Sequence, residues 1–185
     1  MKDVKQELRN IVLSSLKSFN IEKKIADSKL LHKNLKKLLA TENLIQAQIG
    51  IYSPLDDEID PIFDRERLYA FPKMDSDQLK FFESYSNDLE KMKAYGREFK
   101  EPKVKERCIE PEIFIVPGLA FSAEGRRLGR GKGYYDKYFR SVQRDIVKIG
   151  VCFDEQIFDE DQIQMSSLDA FMDFVVTPSR IYQAK

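Results

Sequence analysis

Glycine and basic residues are interleaved in one short stretch of this 185-residue chain. Five of its eight glycines lie between residues 118 and 133, with Arg127, Arg130 and Lys132 among them. Glycine loses much backbone entropy on folding, so a cluster indicates either several left-handed turns or a backbone that approaches a ligand closely. Amides of a glycine-rich turn, a helix N-terminus, guanidinium groups and an ammonium group together suit a polyphosphate. We therefore predict that this loop binds phosphate groups.

The loop does not fit the two common nucleotide-binding patterns. Gly129, Gly131 and Gly133 are spaced as GxGxG, whereas the dinucleotide-binding pattern is GxGxxG. A P-loop would need glycine at position 126 and serine or threonine at position 133, where this chain has Arg126 and Gly133. The mixture of arginine, lysine and glycine that ends in Tyr134-Tyr135-Asp136 is more distinctive than either pattern.

Asp136 at the end of the loop predicts a magnesium ligand. An acid beside a phosphate site repels the ligand unless a cation lies between them. Asp169 and Asp173, shortly before a predicted strand, are candidates for a second carboxylate ligand, because ligands of open α/β sheets collect near the carboxyl ends of strands. The alternatives for Asp136 are a helix-terminus charge and a salt bridge to Arg130.

Composition excludes several classes of site. The 31 basic and 31 acidic residues cancel, which disfavours a globally basic nucleic-acid-binding protein. The charges lie in blocks, however: residues 1–40 and 126–140 are mainly basic, and residues 56–66 and 154–173 are mainly acidic. The single histidine, His32, excludes a multi-histidine zinc site. Since His32 lies among lysines in a predicted helix, we expect an exposed surface residue and not a catalytic one.

Cysteine usage and hydropathy predict the surroundings of the protein. Cys108 and Cys152 form no CxxC pair, so we expect two reduced, buried thiols, with one disulfide as the alternative. No apolar run approaches the ~20 residues that span a bilayer, and the N-terminus lacks the apolar stretch of a signal peptide. We expect a cytoplasmic monomer that binds neither membrane nor nucleic acid.

Periodic and continuous apolar runs predict the secondary structure. Helices are expected over residues 3–18, 21–39, 88–95 and 133–141, with a short one around 59–63. Strands are expected over residues 44–52, 68–72, 79–85, 113–116, 146–153 and 174–177. Pro72 should end the second strand and Pro178 the last. Strands that alternate with helices predict an α/β fold, a single domain of residues 1–185 whose mostly parallel, Rossmann-like sheet is covered by helices on both faces.

Several segments together resemble one enzyme family. The runs Pro117-Gly118-Leu119-Ala120-Phe121 and Arg127-Leu128-Gly129-Arg130-Gly131-Lys132-Gly133-Tyr134-Tyr135-Asp136 are similar to the signature of the 5-formyltetrahydrofolate cyclo-ligases, also called methenyltetrahydrofolate synthetases. Lys5 and Arg9 resemble the family's N-terminal KxxxR, and Tyr52 to Ile59 resemble its Y-x-P…E-I segment. The resemblance covers most of the chain, although residues 77–107 match poorly.

The resemblance implies a role for each matching residue. The implied ATP contacts are Lys5, Arg9, Arg127, Leu128, Gly129, Arg130, Gly131, Lys132, Gly133, Tyr134 and Tyr135. The implied folate contacts are Ser53, Glu58, Arg130, Gly131, Lys132, Gly133 and Tyr134. Arg130, Lys132 and Glu58 would be catalytic, and Asp136 and Asp169 would hold Mg²⁺. The aromatic residue that stacks on the pterin is left open among Phe81, Phe82, Tyr85 and Phe99.

Two positions depart from the family pattern. Leu168 stands where the family usually has histidine, and Ser122 stands where it often has aspartate. The resemblance implies a reaction that converts 5-formyltetrahydrofolate and ATP into 5,10-methenyltetrahydrofolate, ADP and phosphate. The alternatives are a sugar-phosphate isomerase or related phosphate-binding α/β enzyme, and a non-catalytic RNA-binding module that uses the basic N-terminal helices.

Overall fold

The computed structural model describes residues 4–76, 78–94, 97–103 and 106–184. Within these ranges the α-helices are α1 (Val4–Leu16), α2 (Ile21–Thr41) and α3 (Tyr134–Ser141). The strands are β1 (Ile49–Gly50), β2 (Tyr69–Asp75), β3 (Gln78–Ser84), β4 (Glu90–Ala94), β5 (Arg97–Glu101), β6 (Cys108–Ile109), β7 (Ile113–Pro117), β8 (Ala120–Phe121), β9 (Arg127–Leu128), β10 (Val147–Val151), β11 (Phe174–Val176) and β12 (Ile181–Gln183). None of the described helices is both long enough and apolar enough to cross a membrane.

The central sheet has the strand order β12-β11-β10-β7-β1-β2-β3-β6. The five strands from β11 to β2 pair in parallel. Strands β12, β3 and β6 pair antiparallel at the two edges. Strands β4 and β5 form one separate hairpin, and β8 and β9 form another. The predicted α/β fold with a mostly parallel sheet is confirmed.

Strand β7 is buried on both faces, as its continuous apolar run predicts. Successive side chains of a strand point to opposite faces. Ile113 and Ile115 accordingly join one apolar cluster with the buried residues of α1 and α2. Phe114 and Val116 join a second cluster that contains Phe139 of α3 together with residues outside the helices. The expected cover of helices on both faces is therefore not confirmed.

The two N-terminal helices follow the predicted apolar spacing. The buried residues are Leu8, Val12 and Leu16 in α1 and Leu31, Leu35, Leu38 and Leu39 in α2. Asn20 caps α2, since its side-chain oxygen accepts a hydrogen bond from the Lys23 amide at 2.8 Å. The predicted start of α1 at residue 3 lies outside the described residues.

The short helix predicted around residues 59–63 is wrong. This segment is an irregular loop that side chains hold against α2. The Asp60 amide donates to Ser28 Oγ at 3.1 Å, and the Ile62 amide donates to Asp60 Oδ1 at 2.9 Å. Side-chain acceptors of this kind compete with the backbone bonds of a helix. Ile59 and Ile62 are nevertheless buried, which accounts for the apolar signal.

The helix predicted over residues 88–95 is also wrong. Residues Glu90–Ala94 form β4, which pairs antiparallel with β5 and places Met92 opposite Phe99. Cross-strand contacts between such side chains stabilise a hairpin, and local helical spacing does not reveal them. The predicted strand around 79–85 corresponds to β3.

Two predicted strand ends differ from the structure. Strand β2 continues through Pro72, because its antiparallel pairing with β3 runs from Tyr69 to Asp75, while the parallel pairing with β1 reaches only Ala70. Strand β1 is shorter than the predicted 44–52, since Arg67 takes the carbonyl oxygens of Ile45 and Ala47 at 2.8 and 2.7 Å. Strand β11 is not the last, because β12 follows it.

Candidate active site

A cleft of about 310 Å³ gathers residues from distant parts of the chain. Its lining includes Lys5 and Arg9 of α1, Glu58, every residue from Arg127 to Asp136, and Asp169. These are all the predicted site residues except Ser53, which is half-buried and does not line this cleft among the described residues. Pro117 and Gly118, at the end of β7, complete the wall. The cleft thus lies at the carboxyl end of a central parallel strand, where ligands of open α/β sheets bind.

The glycine loop adopts a backbone that other residues rarely adopt. Gly131 has a φ of 97° and Gly133 a φ of 66°. Gly133 is also the N-cap of α3, and no side chain of the described residues caps this helix end. The first amides of a helix have no partner within the helix, so they are suited to bind an anion. Gly131 and Gly133 thus give the loop left-handed backbone conformations, and anion binding by the loop stays a prediction.

Two side chains of helix α1 contact other residues that line the cleft. Arg9 Nε donates to the carbonyl oxygen of Gly129 at 3.0 Å, and Lys5 Nζ lies 2.8 Å from Asp169 Oδ2. Residues four apart share one face of a helix, so both cations point to the same side of α1. Lys5 and Asp169 are 164 positions apart in the sequence, so their contact depends on the fold.

Arg130 is bound by two carboxylates. Its guanidinium donates to Asp57 at 2.7 and 3.2 Å and to Glu58 Oε1 at 3.0 and 3.1 Å. Glu58 Oε2 accepts from the Leu55 amide at 3.0 Å, and the Glu58 side chain is only 11% exposed. Burial raises the pKa of Glu58, against the opposing effect of Arg130. The sequence did not predict a role for Asp57. Its position next to Glu58, in a chain that also has a basic loop, is the feature that could have indicated one.

Arg127 and Asp136 form an ion pair at the base of the loop. Arg127 Nη2 lies 2.8 Å from Asp136 Oδ1, and the two side chains are 4% and 16% exposed. The same carboxylate oxygen accepts from the Ala170 amide at 3.1 Å. The salt-bridge alternative for Asp136 therefore has Arg127 and not Arg130 as its partner. This contact ties α3 to the segment before β11.

Asp169 is an ionised carboxylate with several donors. Its Oδ2 accepts from Lys5 and from both the amide and the hydroxyl of Ser166, at 2.8 and 2.9 Å. Burial opposes its ionisation, but the bonds from Lys5 and Ser166 prevail and lower the pKa of Asp169. Asp173 instead binds the amide and the ammonium group of Lys148, and it does not line the cleft among the described residues.

Asp136 and Asp169 both line the cleft, and each is paired with a cation, Arg127 and Lys5 respectively. The described residues contain no group of three or more metal-binding side chains that could hold an ion by themselves. Mg²⁺ is commonly bound through one or two carboxylates, with substrate phosphates and waters as the other ligands. Two carboxylates are the number that a magnesium ion bound to a nucleotide commonly uses, so Mg²⁺ at these residues stays a prediction.

The structure also shows where five other residues that the sequence analysis discussed lie. His32 is half-buried and not fully exposed, because its Nε2 hydrogen-bonds the Asp60 carbonyl oxygen at 2.8 Å in the loop against α2. Cys152 is buried as expected, but Cys108 is exposed in β6 at the sheet edge, and both thiols are free. Ser122 is fully buried and accepts weakly from the Arg126 amide at 3.4 Å. Leu168 is 57% exposed.

Known proteins are similar to this chain in both sequence and fold. The model of the 5-formyltetrahydrofolate cyclo-ligase family matches residues 1–178. The chain belongs to this family. A 5-formyltetrahydrofolate cyclo-ligase of Mycoplasma genitalium is 28% identical over 161 residues, which are 82% of this chain and 86% of that protein.

Two other relatives complete the comparison. A probable 5-formyltetrahydrofolate cyclo-ligase of Schizosaccharomyces pombe is 36% identical over 88 residues, and this match spans only 43% of that relative's length. The solved structure of Aquifex aeolicus 5,10-methenyltetrahydrofolate synthetase superposes with a TM-score of 0.81 at 28% identity, over 98% of this chain and 93% of that chain. Membership of the cyclo-ligase family favours the folate prediction over the isomerase and the RNA-binding alternatives.

Proposed function

We propose that this cyclo-ligase family member converts 5-formyltetrahydrofolate and ATP into 5,10-methenyltetrahydrofolate, ADP and phosphate. The observation that carries the proposal is the cleft in which the glycine loop and two cations of α1 lie beside the Arg130–Glu58 contact. A polyanion site and a buried carboxyl group are thereby neighbours. Their closeness supports the proposal, because phosphoryl transfer requires the donor phosphate and the acceptor oxygen to be held next to each other.

The proposed reaction has two steps. The formyl oxygen is a poor leaving group until it accepts the γ-phosphoryl group, when a P–O bond to ADP breaks and a P–O bond to the formyl oxygen forms. N10 then attacks the formyl carbon and loses its proton, and the oxygen departs as part of inorganic phosphate. Phosphoryl transfer depends on charge neutralisation and positioning more than on a covalent nucleophile. A protein whose one histidine, His32, does not line the cleft can therefore carry it out.

We assign the ATP phosphates to the Gly129–Gly133 backbone, Lys132, Arg9 and Lys5. These groups line one cleft, and the left-handed conformations of Gly131 and Gly133 are of the kind found in anion-binding turns, which supports the assignment. The guanidinium of Arg127 is almost fully buried against Asp136, so we assign it to holding the loop in place. Leu128, Tyr134 and Tyr135 supply walls of the same cleft.

We assign the folate to the side of the cleft that Glu58 lines. Arg130 holds Glu58 in position and also belongs to the glycine loop, so it connects the folate side to the phosphate side. Tyr134 also lines the cleft, whereas Ser53 would have to reach the folate from outside the cleft lining.

Asp136 and Asp169 are the residues that would hold Mg²⁺. When bound there, the ion would neutralise part of the charge on the ATP phosphates. Lys5 already contacts Asp169 at 2.8 Å, so this cation and the metal would share one carboxylate.

The test is a spectrophotometric assay with purified protein, 5-formyltetrahydrofolate, ATP and MgCl₂. We expect absorbance of the methenyl product to rise in the complete mixture, with ADP formed in equal amount. Mixtures that lack ATP or protein are the controls and should show no rise. Absence of product with every divalent cation tried would contradict the proposed function.

A further inference from the structure

Asp57 contacts a residue of the cleft without lining the cleft itself. Its carboxylate accepts from Arg130 twice, from Nη2 to Oδ1 at 2.7 Å and from Nη1 to Oδ2 at 3.2 Å. Two such bonds between a guanidinium and a carboxylate fix the plane and the direction of the guanidinium. Arg130 lines the cleft, whereas Asp57 does not line it within the described ranges. An effect of Asp57 on a bound ligand would therefore be indirect, through a residue such as Arg130.

A second edge of the same guanidinium binds Glu58. Nε and Nη2 of Arg130 donate to Glu58 Oε1 at 3.1 and 3.0 Å. A guanidinium has five N–H donors, so the four hydrogen bonds to the two carboxylates leave at most one for a phosphate group. Arg130 belongs to the glycine loop in the sequence, but its donors face carboxylates and not the place of an anion.

The loop that carries both carboxylates is held in place by contacts of its own. The Glu58 amide donates to the Leu55 carbonyl oxygen at 3.0 Å, and the Leu55 amide donates to Glu58 Oε2 at 3.0 Å. Two residues further on, the Asp60 amide donates to Ser28 Oγ of α2 at 3.1 Å. Arg130, by contrast, has a long side chain with large rotamer entropy. The carboxylates are therefore the fixed partners, and the guanidinium is the group whose position they determine.

The charges at this contact also hold the guanidinium. Burial lowers the pKa of Arg130, but the charges and hydrogen bonds of Glu58 and Asp57 prevail and raise it. The side chains of Arg130 and Asp57 are 27% and 24% exposed, so water screens their attraction less than at an open surface. If Asp57 lost its charge, Glu58 alone would have to hold the cation against the attraction of a nucleotide.

We propose that Asp57 is a positioning residue that holds Arg130 at Glu58 and keeps this guanidinium away from the ATP phosphates. The inference rests on the proposed function for the identity of the two ligands. Held in this way, Arg130 orients Glu58 for the folate, and the other cations of the cleft are left to bind the nucleotide. A change of Asp57 should then affect the two ligands in opposite directions, whereas the loss of a merely structural contact would weaken both.

Steady-state kinetics of Asp57→Asn test this difference. The amide has one acceptor oxygen and no charge, so it holds the guanidinium less well. We expect the KM for 5-formyltetrahydrofolate to rise about fivefold and the KM for ATP to fall about threefold. A KM for ATP that does not fall, or a KM for folate that does not rise, would overturn the inference. Circular dichroism establishes that the variant is folded.

Asp56→Asn is the matched control for the kinetics. It removes the same charge from the preceding residue, whose side chain is exposed and makes no hydrogen bond or ion pair with another described residue. A general loss of negative charge near the cleft would act in both variants. Asp56→Asn should therefore leave both KM values unchanged, and equal effects of the two variants would overturn the role of Asp57.

Binding of tripolyphosphate separates this inference from the proposed function, because it needs no turnover. In calorimetric titrations, Asp57→Asn should bind tripolyphosphate about threefold more tightly than Asp56→Asn, since the released guanidinium can reach the anion. The further change Arg130→Met should remove this gain. Equal affinities of Asp57→Asn and Asp56→Asn, or a gain that persists with Arg130→Met, would overturn the inference. A gain that depends on Arg130 would support it even if the wild type formed no methenyl product, an outcome that contradicts only the proposed function.

Discussion

Arg130 and Lys132 occupy one loop but have different surroundings. The Arg130 guanidinium is engaged by Asp57 and Glu58, whereas Lys132 lies exposed at the rim of the cleft. A phosphate group would have to compete with Asp57 and Glu58 for Arg130. We propose that Arg130 positions Glu58 and that Lys132 supplies charge to the nucleotide.

Lys132→Ala should raise the KM for ATP about tenfold. A hydrogen bond to a charged group contributes ~1.5 kcal/mol or more, and 1.4 kcal/mol is a tenfold change in affinity. Lys132 is exposed, so the thermal unfolding midpoint should not change. Lys137→Ala, one turn into α3 and outside the cleft, is the control. An unchanged KM for ATP in Lys132→Ala would remove this residue from the site.

Glu58 should make stability depend on pH in the opposite direction to an ordinary ion-paired acid. Its pKa is raised by burial, so the folded protein loses stability as pH rises from the unfolded pKa, about 4.3, through the folded one. Glu58→Gln should be no more stable than wild type near pH 4 and gain relative stability towards pH 7. Urea unfolding at several pH values measures this. A wild type that gains on the variant as pH rises would show that the Arg130 pair dominates.

Asp136 and Asp169 should respond differently to removal of their charge. Asp136→Asn leaves Arg127, at 4% exposure, without its partner, and loss of one member of a buried pair costs about 3 kcal/mol or more. Asp169→Asn breaks a more exposed pair and should cost about 1 kcal/mol or less. Both variants should need more Mg²⁺ for half-maximal activity. Unaltered magnesium titrations in both would assign these carboxylates a structural role only.

At the scale of elements, backbone conformation explains why glycines surround the site. Gly125 lies in the turn between β8 and β9 with a φ of 85°, and its carbonyl oxygen accepts from the Met172 amide at 2.8 Å. A Cβ at Gly125 would overlap the Met172 carbonyl oxygen, whereas a Cβ at Gly133 would meet nothing within 4 Å. Gly125 is therefore required by packing, and Gly133 only by its left-handed conformation.

Gly125→Ala should destabilise the protein much more than Gly133→Ala. Both changes force a non-glycine residue into the left-handed region, at about 1 kcal/mol, but Gly125→Ala adds a clash with backbone. We expect a loss of about 3 kcal/mol or more for Gly125→Ala. Chemical denaturation of the two variants provides the comparison. Equal losses would contradict the packing at the β8–β9 turn.

The elements that sequence predicted well are those whose partners impose one simple pattern. The run Ile113 to Val116 is apolar throughout because both faces of β7 are buried, and α2 repeats leucines because one face is buried. The segments predicted wrongly depend on contacts that are distant in sequence or made by side chains. Ser28 holds the Asp60 loop from 32 positions away, and Phe99 lies opposite Met92 in the β4–β5 hairpin.

At the scale of the whole molecule, the glycine loop was predictable from its residue types alone, but the rest of the cleft was not. Lys5 and Glu58 drew attention only through the family resemblance, since isolated charges in basic or acidic blocks look like solvent-exposed residues. The contact of Asp57 with Arg130 was not predicted, because it joins residues that are 73 positions apart in the sequence. The net charge of zero does not reveal that basic and acidic segments of the chain lie next to each other in the fold.

The central claim is that this cleft transfers the γ-phosphoryl group of ATP to the formyl oxygen. Substrate labelled with ¹⁸O in the formyl group tests it most directly, with the released phosphate analysed by ³¹P NMR or mass spectrometry. The proposed chemistry predicts one ¹⁸O atom in each phosphate and one phosphate for each methenyl product. Unlabelled phosphate alongside methenyl product would contradict the account, because the oxygen would then have left by a route that does not involve ATP.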